Sequence, residues 1–206
     1  EMFDGAIDGS LKALWIFAED VVQTDPNTHH VVKAMNALDL LVVQEIFMSE
    51  TARMADVVLP GTTFLEKSGT FTNTERRVQQ VNAAVKPLQG TKTDGQIIVE
   101  MMRKLGFDQP DYDAAEVLKE VASVVSFFEG ITWEGLGASP TGLQWPVNKK
   151  GEDTQILHIG EFKRGKGKFH YYDWRESEEL VKHKNEYPFI LTTSRELQHY
   201  NCATMT

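Results

Sequence analysis

Asp20 and the pair Gln44-Glu45 each follow an apolar run, Lys67 opens a glycine-flanked loop, and Asp94 stands ahead of a helical pattern. A carboxylate in such a place accepts two hydrogen bonds at once, and a lysine offers a mobile point charge to an anion. The densest stretch is residues 40–79. An apolar run at 40–43 breaks into Gln44-Glu45, a short helical segment follows at 51–55, and a second apolar run at 57–59 is stopped by Pro60-Gly61. Then come Lys67, a loop with Gly69, and the pair Arg76-Arg77. Strand, polar tip, short helix, strand and basic loop is the way an α/β domain presents a binding edge at the carboxyl ends of its strands.

The elements that must hold these residues follow from the pattern. Residues 1–10 predict a short helix, with Met2, Phe3 and Ile7 on one face and Gly9-Ser10 closing it. Residues 11–17 (LKALWIF) read as a buried strand, 30–38 as a helix capped at Asn27 or Thr28, and 40–44 as a second strand. This is a β-α-β unit, parallel and right-handed if it lies in one sheet. A helix at 50–55, a third strand at 56–59, a loop at 64–73 and a short strand at 79–85 come next. Helices at 95–105 and 114–128 close the patterned part, with Gly106 placed to cap the first of them. Alternation of strand and helix through residue 105 predicts a parallel, helix-covered sheet. Beyond Gly130 the chain loses its period, holds short alternating runs at 155–158 and 168–172 around the basic turn 163–168, and turns into a charged linker at 175–186. Tyr187-Pro188 then opens a strand at 189–193.

Bulk composition narrows the classes. The 206 residues are 41% hydrophobic and 25% charged, the range of a globular domain. A formal net charge of −9 argues against nucleic acid as a general partner, which needs a basic footprint, but allows a single nucleotide at a local site. The one cysteine, Cys202, allows no internal disulfide, fits a reducing compartment, and leaves the chain short of ligands for zinc or an iron–sulfur cluster. No apolar run reaches the roughly 18 residues of a membrane span, and no charged-then-apolar leader is present. The first residue, Glu1, and a last strand near Thr206 read as part of a larger polypeptide.

Five motifs line up in order: Glu19-Asp20; Gln44-Glu45; residues 64–69 (FLEKSG) with 72–77 (TNTERR); residues 91–94 (TKTD); and residues 191–206, LTTSRELQHYNCATMT. Together they resemble the large catalytic subunit of the molybdopterin oxidoreductases, and within that superfamily most closely formate dehydrogenase alpha subunits of the cytoplasmic type. The resemblance implies an α/β chain. Residues 1–130 would be a Rossmann-like, parallel-sheet domain with flanking helices that binds molybdopterin guanine dinucleotide. Residues 131–186 would be an irregular connector with short strands, and 187–206 the first strand of a truncated β-barrel domain that closes over the pterins. It implies cofactor contacts at Asp20, Gln44, Glu45, Lys67, Asp94, Thr193, Ser194, Arg195, His199 and Tyr200, with molybdenum or tungsten held elsewhere. Glu45 would take a ribose diol, Asp94 or Asp20 the ring N–H and amino group of guanine, and Lys67 a diphosphate. Ser194 and Arg195 would donate to phosphate or pterin oxygens. The family's metal ligand, catalytic histidine and arginine, and 4Fe-4S cysteines lie N-terminal to this region. No catalytic or metal-binding residue is therefore expected here, and the chain alone is expected to be inactive. Implied partners are the rest of the catalytic subunit, electron-transfer subunits (iron–sulfur or NAD-linked) and formate, without nucleic acid or membrane insertion.

Plainer readings stand beside these. Asp94 fits a helix N-cap. Glu45 fits a solvated loop acid and Lys67 a surface charge, while Arg76-Arg77 could hold a loop or face a substrate. His29-His30 point about 100° apart on a helix and make a poor metal pair. Cys202 fits a buried or pterin-side thiol. At the level of the whole chain, another superfamily substrate such as nitrate is one alternative. The other is a pterin-free scaffold like the large iron–sulfur subunit of respiratory complex I. The sequence also departs from the common family pattern: Ala18-Glu19-Asp20-Val21 stands where many members have Gly-Glu-Asn-Pro, and Gln44-Glu45 where Ser-Asp or Gln-Asp is frequent.

Overall fold

The computed structural model describes residues 1–162, 164–197 and 199. They fall into two compact units, 1–155 and 156–206.

The first unit is built on a parallel sheet of three strands, β1 (Ala13–Phe17), β2 (Leu40–Glu45) and β3 (Val57–Pro60), in the order β1-β2-β3. Trp15 pairs with Val42, and Gln44 with both Phe17 and Leu59. Parallel neighbours need crossover connections. These are α2 (Val21–Thr24) with α3 (Thr28–Ala37), and then α4 (Glu50–Met54). Asn27 caps α3 by accepting from the His30 N–H, as its position predicts, and Ser49 caps α4 by accepting from the Ala52 N–H. The first helix, α1 (Met2–Asp8), ends at Gly9, whose φ of 82° is the left-handed conformation that glycine takes at low cost. Side chains alternate across a strand. Leu14, Ile16, Leu41, Val43 and Val58 therefore share one face, where they form a core with Ala6 of α1 and with Val31, Ala34 and Met35 of α3.

After β3 the chain forms a second, antiparallel sheet: β4 (Gly69–Thr72), β5 (Arg77–Val81) and the two-residue β6 (Leu143–Gln144). Between β5 and β6 lie α5 (Asp94–Lys104), α6 (Ala114–Val124) and α7 (Trp133–Ala138). Val78, Leu118, Ile131, Leu136 and Val147 close a separate core there, flanked by Trp133 and Trp145. Two expectations change. Residues 69–72 are strand rather than loop because β5 supplies hydrogen-bond partners in register, Thr70 opposite Gln80. The aperiodic stretch after Gly130 carries α7 and β6, held by pairing and packing rather than by local pattern.

The second unit contains α8 (Glu178–His183) inside the segment read as a charged linker. The runs at 155–158, 168–172 and 189–193 are not strands. A strand is completed by a neighbour, and among the described residues of this unit no segment offers one.

Ala18, the first residue after β1, sits at φ 50° while its N–H donates to the Gln44 carbonyl. An L-residue in this region costs about 1–2 kcal/mol, which glycine avoids at an entropic cost of about 0.5–1 kcal/mol. The turn thus keeps its shape despite the alanine. Ala18→Gly is predicted to raise unfolding stability by up to about 1 kcal/mol, read as a higher denaturant midpoint at unchanged slope.

Candidate functional site

The polar tips converge at the carboxyl end of β2. Gln44 is buried; its Nε2 donates to Asp94 Oδ1 at 3.0 Å. Asp94 Oδ2 is paired with the Lys67 ammonium. Asp94 is the first residue of α5, but it is not the cap. Thr93 caps the helix by accepting from the Gln96 N–H, and Gln96 Oε1 accepts in return from the Thr93 N–H at 3.0 Å. This Thr-x-x-Gln capping box was readable in the sequence, and it frees the Asp94 carboxylate to point at β2. An anion at a helix N-terminus is also favoured by the helix dipole.

Glu45 is only 4% exposed, so it is not a solvated loop acid. Its Oε1 accepts from the Ile46 N–H at 2.7 Å. Its Oε2 has no partner, and neither do Gln44 Oε1 and Thr62 Oγ1, all three buried. Gly61 closes against the tip of β2: its N–H donates to the Glu45 carbonyl at 3.0 Å, and a Cβ there would stand 3.4 Å from Asp94 Oδ1 and 3.7 Å from Ile46 Cγ2. Buried polar atoms are normally satisfied, so these three acceptors at and just beyond the ends of β2 and β3 stand out.

Lys67 is positioned from behind. The preceding residue, Glu66, is buried and accepts from the Thr63 and Leu88 N–H groups at 2.8 and 2.9 Å. Those two backbone donors hold the Glu66 carboxyl below its ordinary value of 4.5, against the opposing effect of burial. Beside Lys67 and Asp94 opens a cleft of ≈ 310 Å³ bordered by Phe64, Phe71, Tyr112, Val117 and Phe128. Gly95 lets the Tyr112 ring lie on the start of α5, since a Cβ there would come within 2.2 Å of it. Burial first, then the negative Asp94 and Asp113, push the Tyr112 phenol above its ordinary 10.0, so it stays protonated and a donor at neutral pH.

Asp20 lies elsewhere in the network. It is buried, and its Oδ1 accepts from both the N–H and the Oγ1 of Thr51, at 3.0 and 2.6 Å, while Oδ2 accepts from Gln23 Nε2 at 2.7 Å. It therefore latches the β1 tip to α4. Arg76 holds a loop: its guanidinium donates to the carbonyls of Trp145, Thr154 and Gln155 and lies 5.6 Å from the Trp145 ring centroid. Arg77 pairs with Glu75. In the second unit Thr193, Ser194, Arg195 and His199 are exposed, and Arg195 Nη1 donates to the His199 carbonyl at 3.3 Å. Tyr200 and Cys202 lie outside the described residues. Among the described residues no cluster of three His, Cys, Asp or Glu could hold a metal, and no helix is long and apolar enough to cross a membrane. Sequence reasoning missed Thr51, Thr62 and Tyr112. Only Thr62 carried a signal, as the first polar residue after a strand stopped by Pro60-Gly61.

The molybdopterin oxidoreductase family model matches residues 1–104. This chain belongs to that family. It is 43% identical over 202 residues to the F420-dependent formate dehydrogenase subunit alpha of Methanocaldococcus jannaschii, covering 96% of this chain and 29% of that one. It is 39% identical over 208 residues to the probable oxidoreductase YjgC of Bacillus subtilis, covering 21% of it. Among solved structures, acetylene hydratase from Pelobacter acetylenicus superposes on 65% of this chain with a TM-score of 0.54 at 26% identity, over 19% of its own length. The chain thus spans less than a third of the relatives it matches. A molybdopterin-family chain has use for satisfied donors at its strand ends, and the unpartnered acceptors at Gln44, Glu45 and Thr62 fit a polar cofactor rich in N–H and O–H groups.

Glu66 gives a pH prediction. Its carboxyl is lowered in the fold, so its contribution is complete above 4.5 and is lost as pH falls through the lower, folded value. Glu66→Gln is predicted to lower stability at pH 7 while flattening the acid limb of the stability curve below pH 4.5, read by urea unfolding at a series of pH values.

Proposed function

We propose that this chain is the cofactor-binding portion of a formate dehydrogenase alpha subunit, and that the β2 tip holds the guanosine of a molybdopterin guanine dinucleotide. Support comes from family membership, from relatives named formate dehydrogenase subunit alpha, and above all from the three buried, unpartnered acceptors beside the Asp94 carboxylate. A carboxylate can accept from both the ring N–H and the amino group of guanine, a pattern adenine does not offer. Asp94 fills that role, Glu45 Oε2 and Gln44 Oε1 accept from ribose hydroxyls, and Thr62 Oγ1 completes the wall. Lys67 leaves Asp94 for the diphosphate, where a point charge on a flexible stem is useful. Asp20 supports the site indirectly, through its latch to Thr51. By the likeness to formate dehydrogenase alpha subunits, Thr193, Ser194, Arg195, His199 and Tyr200 would serve the pterin end of the cofactor.

When bound, the cofactor supplies a molybdenum or tungsten centre that accepts two electrons from formate. This chain's residues bind and orient the cofactor's nucleotide end and exclude water from it. In this reading the 4Fe-4S clusters and the partner subunits that would take up those electrons belong to the rest of a cytoplasmic enzyme, not to these 206 residues. The likeness to acetylene hydratase bears on the fold alone, because one scaffold can serve several substrates.

Asp94→Ala in the full-length protein should remove a charge-assisted pair worth about 1.5–3 kcal/mol per bond, lowering guanine dinucleotide content by at least about tenfold. The measure is GMP released on acid hydrolysis per mole of folded protein. Unchanged content would refute the guanine role of Asp94. The 206-residue chain by itself, given formate and a viologen dye, is predicted to show no turnover.

A further inference from the structure

Tyr112 is a hydrogen-bond donor beside Asp94 that the guanosine reading leaves unused. It lies in the loop between α5 and α6, and both ends of that loop are pinned. Arg103 of α5 donates to the Gln109 carbonyl and to the Asp111 carboxylate, each at 2.8 Å. Asp113 caps α6 by accepting from the Ala115 and Glu116 N–H groups. The ring fits against the start of α5 because residue 95 is glycine: a Cβ there would stand 2.2 Å from Tyr112 Cε2 and 2.5 Å from Cζ, the carbon that bears the hydroxyl. Tyr112 is half-buried, and its hydroxyl has no hydrogen-bond partner among the described residues. Burial, then the charges of Asp94 and Asp113, keep the phenol protonated. It shares the ≈ 310 Å³ cleft with Asp94, where Phe64 and Phe71, with ring centroids 6.3 Å apart, supply apolar wall.

These features match the part of guanine that a carboxylate cannot serve. The base presents a carbonyl oxygen, a ring N–H and an amino group along one edge. A carboxylate accepts from the last two and repels the first unless a donor stands next to it. Lys67 is engaged elsewhere once it turns to the diphosphate, which leaves the phenol. We propose that Tyr112 is a specificity-determining residue: its hydroxyl donates to the guanine 6-oxo oxygen while Asp94 accepts from the ring N–H and the amino group. This rests on the guanosine reading and goes further, assigning the third group of the base's edge to a residue outside the five sequence motifs. An uncharged donor suits the task, because it serves the carbonyl without cancelling the Asp94 charge that the other two groups need.

The test uses the full-length protein prepared without cofactor, titrated by calorimetry with GMP, 6-thio-GMP and IMP. Sulfur is a weak acceptor, so 6-thio-GMP reports on the 6-oxo contact, while IMP lacks the amino group and reports on Asp94. The wild type is expected to bind GMP about three- to tenfold more tightly than 6-thio-GMP, the worth of one neutral hydrogen bond. Tyr112→Phe should lose that preference yet still favour GMP over IMP, which also shows that the variant's site is folded. A variant that keeps the wild-type preference for GMP over 6-thio-GMP, or a wild type that has none, would overturn the assignment of Tyr112 and leave Asp94 in place. Loss of the preference over IMP in the variant would overturn it as well, by giving Tyr112 a structural role alone. A wild type that binds no GMP, or does not favour it over IMP, would sink the guanosine reading itself and the Tyr112 assignment with it.

Discussion

The Asp94 carboxylate joins three pieces of chain that are distant in sequence: the start of α5, the tip of β2 through Gln44, and the loop after β3 through Lys67. Everything at the candidate site depends on where that carboxylate points. Thr93 is responsible for the direction. By taking over the cap, with Gln96 returning the hydrogen bond, it releases Asp94 from a purely helical duty. Gly61 and Gly95 keep the space open on either side, the one beside Asp94 itself and the other beneath the Tyr112 ring. The carboxylate itself is only partly buried. It is satisfied by Lys67 and Gln44 here, and the same two acceptor oxygens are what a guanine base requires.

Around it the chain buries polarity without satisfying it. A carboxylate oxygen, an amide oxygen and a hydroxyl at and just beyond the ends of β2 and β3 lack partners, which is costly unless something else supplies hydrogen bonds. Asp20 makes a useful contrast: an equally buried acid whose oxygens are both engaged by Thr51 and Gln23. One acid is used as a latch and the other keeps an oxygen without a partner. Nothing in the residue types distinguishes these uses; the surroundings do. Glu66 is a third case, fixing the backbone that carries Lys67.

The parallel sheet was legible because β1, β2 and β3 are apolar runs broken by polar residues or Pro60-Gly61, and because Asn27 announces its helix. β4 was not, since Gly69 and two threonines look like loop until β5 pairs with them. The run at 189–193 was read as strand from its own residues and is not one, for the complementary reason that strand formation depends on a neighbour. Of the site, Gln44, Lys67 and Asp94 were read and do come together. Thr51 and Thr62 were missed because a threonine becomes a site residue through burial, which one sequence does not reveal. Ala18 shows the limit from the other side: a departure from the family's glycine was visible, but its left-handed backbone was not.

The most direct measurement is a structure of the full-length protein loaded with its cofactor. The account predicts the guanine ring N–H and amino group within about 3 Å of the Asp94 carboxylate, the ribose on Glu45, and Lys67 withdrawn towards the diphosphate. A guanine bound elsewhere, with the Lys67–Asp94 pair intact and Glu45 Oε2 still unpartnered, would contradict it.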